Sequence, residues 1–180
     1  MRGDFGMLKV NTKKKGYTLV EVLVVVSIMG ILSAMGVSSL TGAIANARIR
    51  DAALNTTAFL ERIANDSNRM SKTLCVTVAN SQTLIVHENA CDGDEYSRFT
   101  IEAPAKFNCN IDTDVSLPNW ASTNGAIFEP RIGLSSAPRK GFLCIQYGSR
   151  EIYGRVWKDE TKNSINTQWK HGALSSWIHL

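Results

Sequence analysis

Glu21 is the residue whose position asks for a chemical explanation. It is the single carboxylate in a run, Leu19 to Val37, whose only other polar side chains are Ser27 and Ser33. A charged group deep in a membrane span is unfavourable by about 2.5–3.5 kcal/mol on insertion scales, so an ionisable residue there is functional by default. Five residues before it lies Gly16, which closes a short basic leader ending Lys13-Lys14-Lys15-Gly16. The alternative for Glu21 is a place at the cytosolic edge, from which its carboxylate snorkels to the headgroups.

Other chemistry-bearing residues make weaker patterns. The histidines, His87, His171 and His179, fall in unrelated segments and read as exposed strand or tail residues. No metalloprotease, nucleophile-elbow, P-loop or dinucleotide motif occurs, so no catalytic residue, cofactor or metal ligand is assigned. Asp92-Gly-Asp-Glu95 begins like a calcium loop, but Tyr96 and Ser97 stand where a ligand and a glycine belong. Asp112-Thr-Asp114 fails in the same way. Both read as solvated acidic loops. Trp120, Trp157, Trp169 and Trp177 offer a binding surface or, more simply, half-buried packing, since Trp157 alternates with Arg155 in a strand-like run.

Cys75, Cys91, Cys109 and Cys144 all follow the apolar run, without zinc-like spacing. An even number on one side of a membrane reads as disulfides in an oxidising compartment, the alternative being buried thiols in a reducing one. Three connectivities exist. Cys75–Cys91, a short loop, with Cys109–Cys144, a long one, is preferred without being fixed by the sequence.

The elements that position these residues follow from charge and periodicity. Of the 20 basic side chains, Arg2, Lys9, Lys13, Lys14 and Lys15 fall in the first 16 residues against the one acid Asp4, so the rest of the chain is neutral. A neutral body lacks the basic face that nucleic-acid binding needs. The apolar run is long enough to cross about 30 Å of hydrocarbon at about 1.5 Å per residue. Lysines before it put the N-terminus in the cytoplasm and residues beyond about 40 outside. A cleaved secretory signal peptide, with Ser33-Ala34-Met35-Gly36 as the cleavage region, is a second reading. It explains neither the length of the run nor Glu21.

Helical spacing continues past the span. Ile49, Ala52, Ala53, Thr56, Leu60 and Ile63 share one face, and Arg50, Asp51, Asn55, Glu61, Arg62 and Asp66 the other. One helix from about Thr18 to about Asn68, roughly 75 Å long, is expected, with Gly30, Gly36 and Gly42 as its weak points. After Ser71 short strand-like runs follow at 73–79, 83–88, 97–103, 126–129, 141–147 and 151–158, with 104–125 as a long irregular loop. The fold class is α+β: a long N-terminal helix, membrane-spanning in its first half and amphipathic in its second, packed on one antiparallel sheet. The expected divisions are leader 1–16, membrane and assembly helix 17–40, amphipathic continuation 41–70 and β-rich domain 71–180.

Lys15-Gly16-Tyr17-Thr18-Leu19-Val20-Glu21 and the apolar helix after it resemble the N-terminal signature of type IV pilins and type II secretion pseudopilins. Tyr17 replaces the family's usual Phe, and Ser38 stands where many members have a helix-kinking proline. The remainder resembles the H-type minor pseudopilins and related minor pilins less specifically, through Leu54…Leu60-Glu-Arg62, Leu74-Cys75-Val76, Ile127-Phe-Glu-Pro-Arg131-Ile-Gly133, Gly141-Phe-Leu-Cys144-Ile and Tyr153-Gly-Arg-Val156. The resemblance implies that prepilin peptidase cuts between Gly16 and Tyr17 and methylates the new Tyr17 amine, and that Glu21 pairs with the Tyr17 ammonium of a neighbouring subunit. It implies a non-enzymatic, single-pass inner-membrane protein with a periplasmic domain. Its partners are other pilin or pseudopilin subunits and an inner-membrane assembly platform, in a filament where it sits near the tip. A minor pilin for adhesion, motility or DNA uptake is the nearest alternative, and a signal-anchored periplasmic enzyme or receptor the remote one.

Overall fold

A computed structural model of the chain describes residues 16–107, 109, 117–122, 125–130, 133–134, 140–158, 164–172 and 176–180. It divides into two compact units, residues 1–41 and 42–180. One helix, α1, runs from Leu19 to Met70 and crosses the division. It contains an apolar stretch long enough to cross a membrane.

In the first unit α1 is exposed all round, with Leu23, Val26, Ile31 and Met35 each more than half accessible. A helix that is apolar on every face has no polar side to give water, so its stable surroundings are lipid or other helices. Gly30, Gly36 and Gly42 lie within the assigned helix, and a Cβ at any of them would meet nothing within 4 Å.

In the second unit α1 is amphipathic, as its spacing predicts. Ala45, Ile49, Ala53, Thr56, Leu60 and Ile63 are buried, while Arg50, Asp51, Asn55, Glu61 and Arg62 are exposed. The helix stops in a Schellman motif. Ser71 takes the left-handed conformation at φ 56, its N–H donates to Asn68 O at 3.4 Å, and Lys72 N–H donates to Ser67 O at 3.2 Å. The Ser67 hydroxyl lies 2.8 Å from Lys72 O and 3.0 Å from Phe128 O, which ties the helix end to the sheet below it.

Ten strands follow: β1 Leu74–Asn80, β2 Thr83–Glu88, β3 Glu95–Thr100, β4 Ala105–Phe107, β5 Ala126–Glu129, β6 Gly133–Leu134, β7 Gly141–Tyr147, β8 Ile152–Lys158, β9 Asn166–His171 and β10 Ile178–His179. They form two antiparallel sheets rather than the single sheet expected. The first has the order β3-β2-β1-β5-β6 and the second β10-β9-β8-β7-β4. The chain changes sheets after β3. Pro104 lacks an N–H to extend the ladder, and β4 then pairs with β7 in the second sheet, Ala105 opposite Tyr147 and Phe107 opposite Ile145. The stretch expected to be a long irregular loop therefore contains β4 and a parallel bridge between Asn119 and Phe142. The third strand also begins at Glu95 and ends at Thr100 instead of running 97–103.

Both sheets contribute to one core with the amphipathic half of α1. Along β8, Ile152 and Val156 join this core and Gly154 faces the helix, where a Cβ would come within 3.1 Å of Ala53 Cβ and 3.4 Å of Ile49 Cγ2. Thr57 Oγ1 meets Thr167 Oγ1 of β9 at 2.7 Å. On the other sheet Phe59 stacks on Phe99 of β3 with centroids 4.8 Å apart. Tyr153, on the opposite face of β8, belongs to a second cluster with Cys109, Phe142 and Cys144, against which Leu117, Trp157 and Trp177 pack. This alternation is the ordinary period of a strand whose two faces are both covered.

Candidate functional site

The N-terminal site is built by local hydrogen bonding. Gly16, Tyr17 and Thr18 are not helical, and α1 starts at Leu19. Thr18 is the N-cap residue. Its carbonyl accepts the first helical bond from Val22 N–H at 3.2 Å. Its hydroxyl accepts from Glu21 N–H at 3.2 Å and donates to Glu21 Oε2 at 2.9 Å, and its backbone N–H donates to the same oxygen at 2.9 Å. This is a capping box: Thr-x-x-Glu satisfies donors at the start of the helix reciprocally and places a negative charge at the positive end of the helix dipole. Among the described residues Glu21 has no other partner. Tyr17 projects outward, 86% exposed. The leader lysines 13–15 and the rest of residues 1–15 lie outside the described residues.

The structure pairs Cys75 with Cys91, Cα atoms 5.0 Å apart, and Cys109 with Cys144, 5.6 Å apart. The first ties β1 to the β2–β3 loop. That loop is also held by Asn89 N–H donating to Thr73 O at 2.8 Å, by Glu88 N–H donating to Asp94 O at 2.9 Å, and by a 2.6 Å ion pair from Lys72 to Glu88. The second joins Cys109 to β7 within the aromatic cluster. Trp120 seals the adjoining edge. It is 2% exposed and lies so close to Gly141 that a Cβ there would collide with its ring.

Among the described residues the other candidates from the sequence do not converge on a centre. His87 is half-buried in β2, with Nδ1 2.8 Å from Gly93 O, rather than on an exposed strand position. His171 and His179 are exposed at the ends of β9 and β10. Asp92, Asp94 and Glu95 are exposed, and among the described residues no three His, Cys, Asp or Glu side chains gather as a metal cluster. Arg98 holds the Glu95 carboxyl below its ordinary value through hydrogen bonds of 2.9 and 3.0 Å. Burial, then the nearby Glu151 charge, pushes the Tyr153 phenol up. Asp112 and Asp114 lie outside the described residues.

One constellation escaped sequence reasoning. Arg155 and Lys170 are both buried beside the Trp177 ring, at 4.3 and 4.9 Å from its centroid, and Arg155 also binds Gln168 Oε1 through Nε and Nη2. Gln168 in turn reaches His179 Nε2 at 2.9 Å. The alternation of Arg155 with Trp157 was the available signal. It marks the strand, but the sequence holds no sign that this face is covered. The four tryptophans divide between packing roles: Trp120 and Trp169 lie in the main core and Trp157 and Trp177 in the second cluster, with Arg50 stacked 3.9 Å over Trp169.

Among the described residues no nucleophile, base and acid are assembled. The arrangement offers a capped, negatively charged helix start followed by an apolar helix. No curated protein and no solved structure matches the chain. Residues 11–37 match the family model described as the prokaryotic N-terminal methylation motif, which supports kinship with the type IV pilins and pseudopilins, a structural role rather than an enzymatic one, and a membrane-anchored, peptidase-processed subunit that assembles with other pilins.

Proposed function

We propose that this chain is a minor pseudopilin or minor pilin of the H type, a subunit of a type II secretion pseudopilus or a type IV pilus. The observation that carries the reading is Glu21, the single carboxylate of the apolar run Leu19 to Val37, held at the helix start by Thr18 beside the proposed cleavage point. Residues 1–16 are the leader, 17–40 the membrane and assembly helix, 41–70 its amphipathic continuation and 71–180 the periplasmic domain. Prepilin peptidase cuts after Gly16 and methylates Tyr17. The stored subunit spans the inner membrane with its N-terminus in the cytoplasm.

Assembly then brings the Tyr17 ammonium of one subunit to the Glu21 carboxylate of another. Thr18 occupies one carboxylate oxygen and leaves the second open to this contact. Opposite charges about 4 Å apart attract by about 4 kcal/mol at an effective dielectric of about 20, whereas an unpaired charge in the filament interior is costly. The pair therefore selects one axial register.

Intact mass with and without prepilin peptidase tests the processing step. Loss of residues 1–16 with one methyl group added is expected, and an unchanged mass or a cut near Met35 removes the filament mechanism. Glu21→Ala tests the assembly step. It is expected to be processed, to keep a folded periplasmic domain and to stay out of filaments, and normal incorporation would remove the charge pair.

A further inference from the structure

The two disulfides differ in access. Cys109 and Cys144 are 9% and 2% exposed and lie among Phe142, Tyr153, Trp157 and Trp177. Cys75 is fully buried, but its partner Cys91 is only partly buried, and together they form part of the wall of an open cavity of about 620 Å³. The rest of that wall mixes Thr73, Thr77, Asn89 and Asp92 with the apolar Ala90 and Ile127. Thiol–disulfide exchange requires a thiolate to reach one sulfur along the S–S axis, so access decides which disulfide reacts and which sulfur is attacked.

We propose that Cys91 is a reversible thiolation site for a low-molecular-weight aminothiol or cysteinyl peptide. The incoming thiolate attacks Cys91 Sγ. A new S–S bond forms there as the Cys75–Cys91 bond breaks, and the electron pair leaves on Cys75 Sγ, which takes a proton from water. One disulfide is consumed and one is made, so the thiol itself is the only reductant. The cavity suits such a ligand: Thr73, Thr77 and Asn89 of its wall offer hydroxyl and amide groups to peptide bonds, and Asp92 offers a carboxylate to an ammonium group. Cys91 stays near Cys75 after exchange, because the loop keeps its bonds to Thr73 and Asp94, the His87–Gly93 contact at 2.8 Å and the Lys72–Glu88 pair. Cys75 then lies poised to expel the ligand, so the modification reverses when the thiol is removed.

The test incubates the full chain in detergent at neutral pH with reduced glutathione, quenches with acid, alkylates and maps the peptides. One glutathione on Cys91, a free thiol on Cys75 and unchanged strand content are expected, at least about tenfold faster than any reaction at Cys109 or Cys144. Ala90→Trp, at an exposed lining position, is expected to slow the adduct severalfold without altering thermal stability. Equal reactivity of the two disulfides, an adduct on Cys75, reaction only where the protein unfolds, or an unchanged rate in Ala90→Trp overturns the proposal.

Discussion

Thr57 and Thr167 join the amphipathic helix to β9 by one hydrogen bond, and removing the two hydroxyls separately should have unequal effects. Thr57 is 9% exposed and Thr167 7%. We assign the Thr57 hydroxyl proton to Ala53 O at 3.0 Å, which makes Thr167 the donor across the 2.7 Å contact. Valine replaces threonine with nearly the same shape. In Thr57→Val the buried Thr167 O–H loses its acceptor, a loss of about 1–3 kcal/mol. In Thr167→Val the Thr57 hydroxyl keeps its bond to Ala53 O, and the change is about 0.5–1 kcal/mol. The double variant leaves no orphan and should be more stable than Thr57→Val alone. Urea unfolding of residues 42–180, followed by tryptophan fluorescence, reads all three. A loss of about 2 kcal/mol corresponds to roughly 4–8 °C in Tm for a domain of this size. Equal effects of the two single variants, or strict additivity in the double, would refute the assigned direction of the bond.

Gly154→Val should overpack the contact with Ala53 and Ile49 and lower stability by about 1–3 kcal/mol, with Gly154→Ala smaller, as thermal melts will show. Ser71→Gly should raise stability by about 1 kcal/mol, because the left-handed conformation at φ 56 suits glycine; no rise in Tm would contradict the cap. The Glu95–Arg98 pair stabilises the folded state while the carboxylate is ionised. Since its folded value lies below the unfolded one, that contribution is complete above about pH 4.3 and disappears as pH falls through the folded value. The stability difference between the native protein and Arg98→Ala should therefore shrink on acidification, and a difference that grows would reverse the sign.

The parts legible in the sequence were those set by local chemistry. A run without proline and a 3.6-residue apolar period define α1 nearly to its ends. The hairpin of β1 and β2 and the strands β5, β7 and β8 follow from apolar runs between turn residues. Pairing between distant strands is not local, and the split into two sheets depends on β4 choosing β7 as its neighbour. The strand β9, Asn166-Thr-Gln-Trp-Lys-His, was missed because Gln168 and Lys170 look like solvent-facing residues. Both are buried, Gln168 against Arg155 and His179 and Lys170 beside Trp177. At the N-terminus the carboxylate stood out by its isolation, but its bond to Thr18 required coordinates.

The capping box also fixes where the helix begins, whatever precedes it. The bond between Gly16 and Tyr17 lies outside the helix, ahead of its start at Leu19. A protease needs its substrate as an unwound strand, and unwinding a helix end in lipid would leave backbone groups without partners. Here that cost is absent. Thr18 and Glu21 close the helix on its own atoms, so under the proposed function the leader would come away as a tag is cut from a finished rod. The first turn left behind is already the one that a neighbouring subunit would meet.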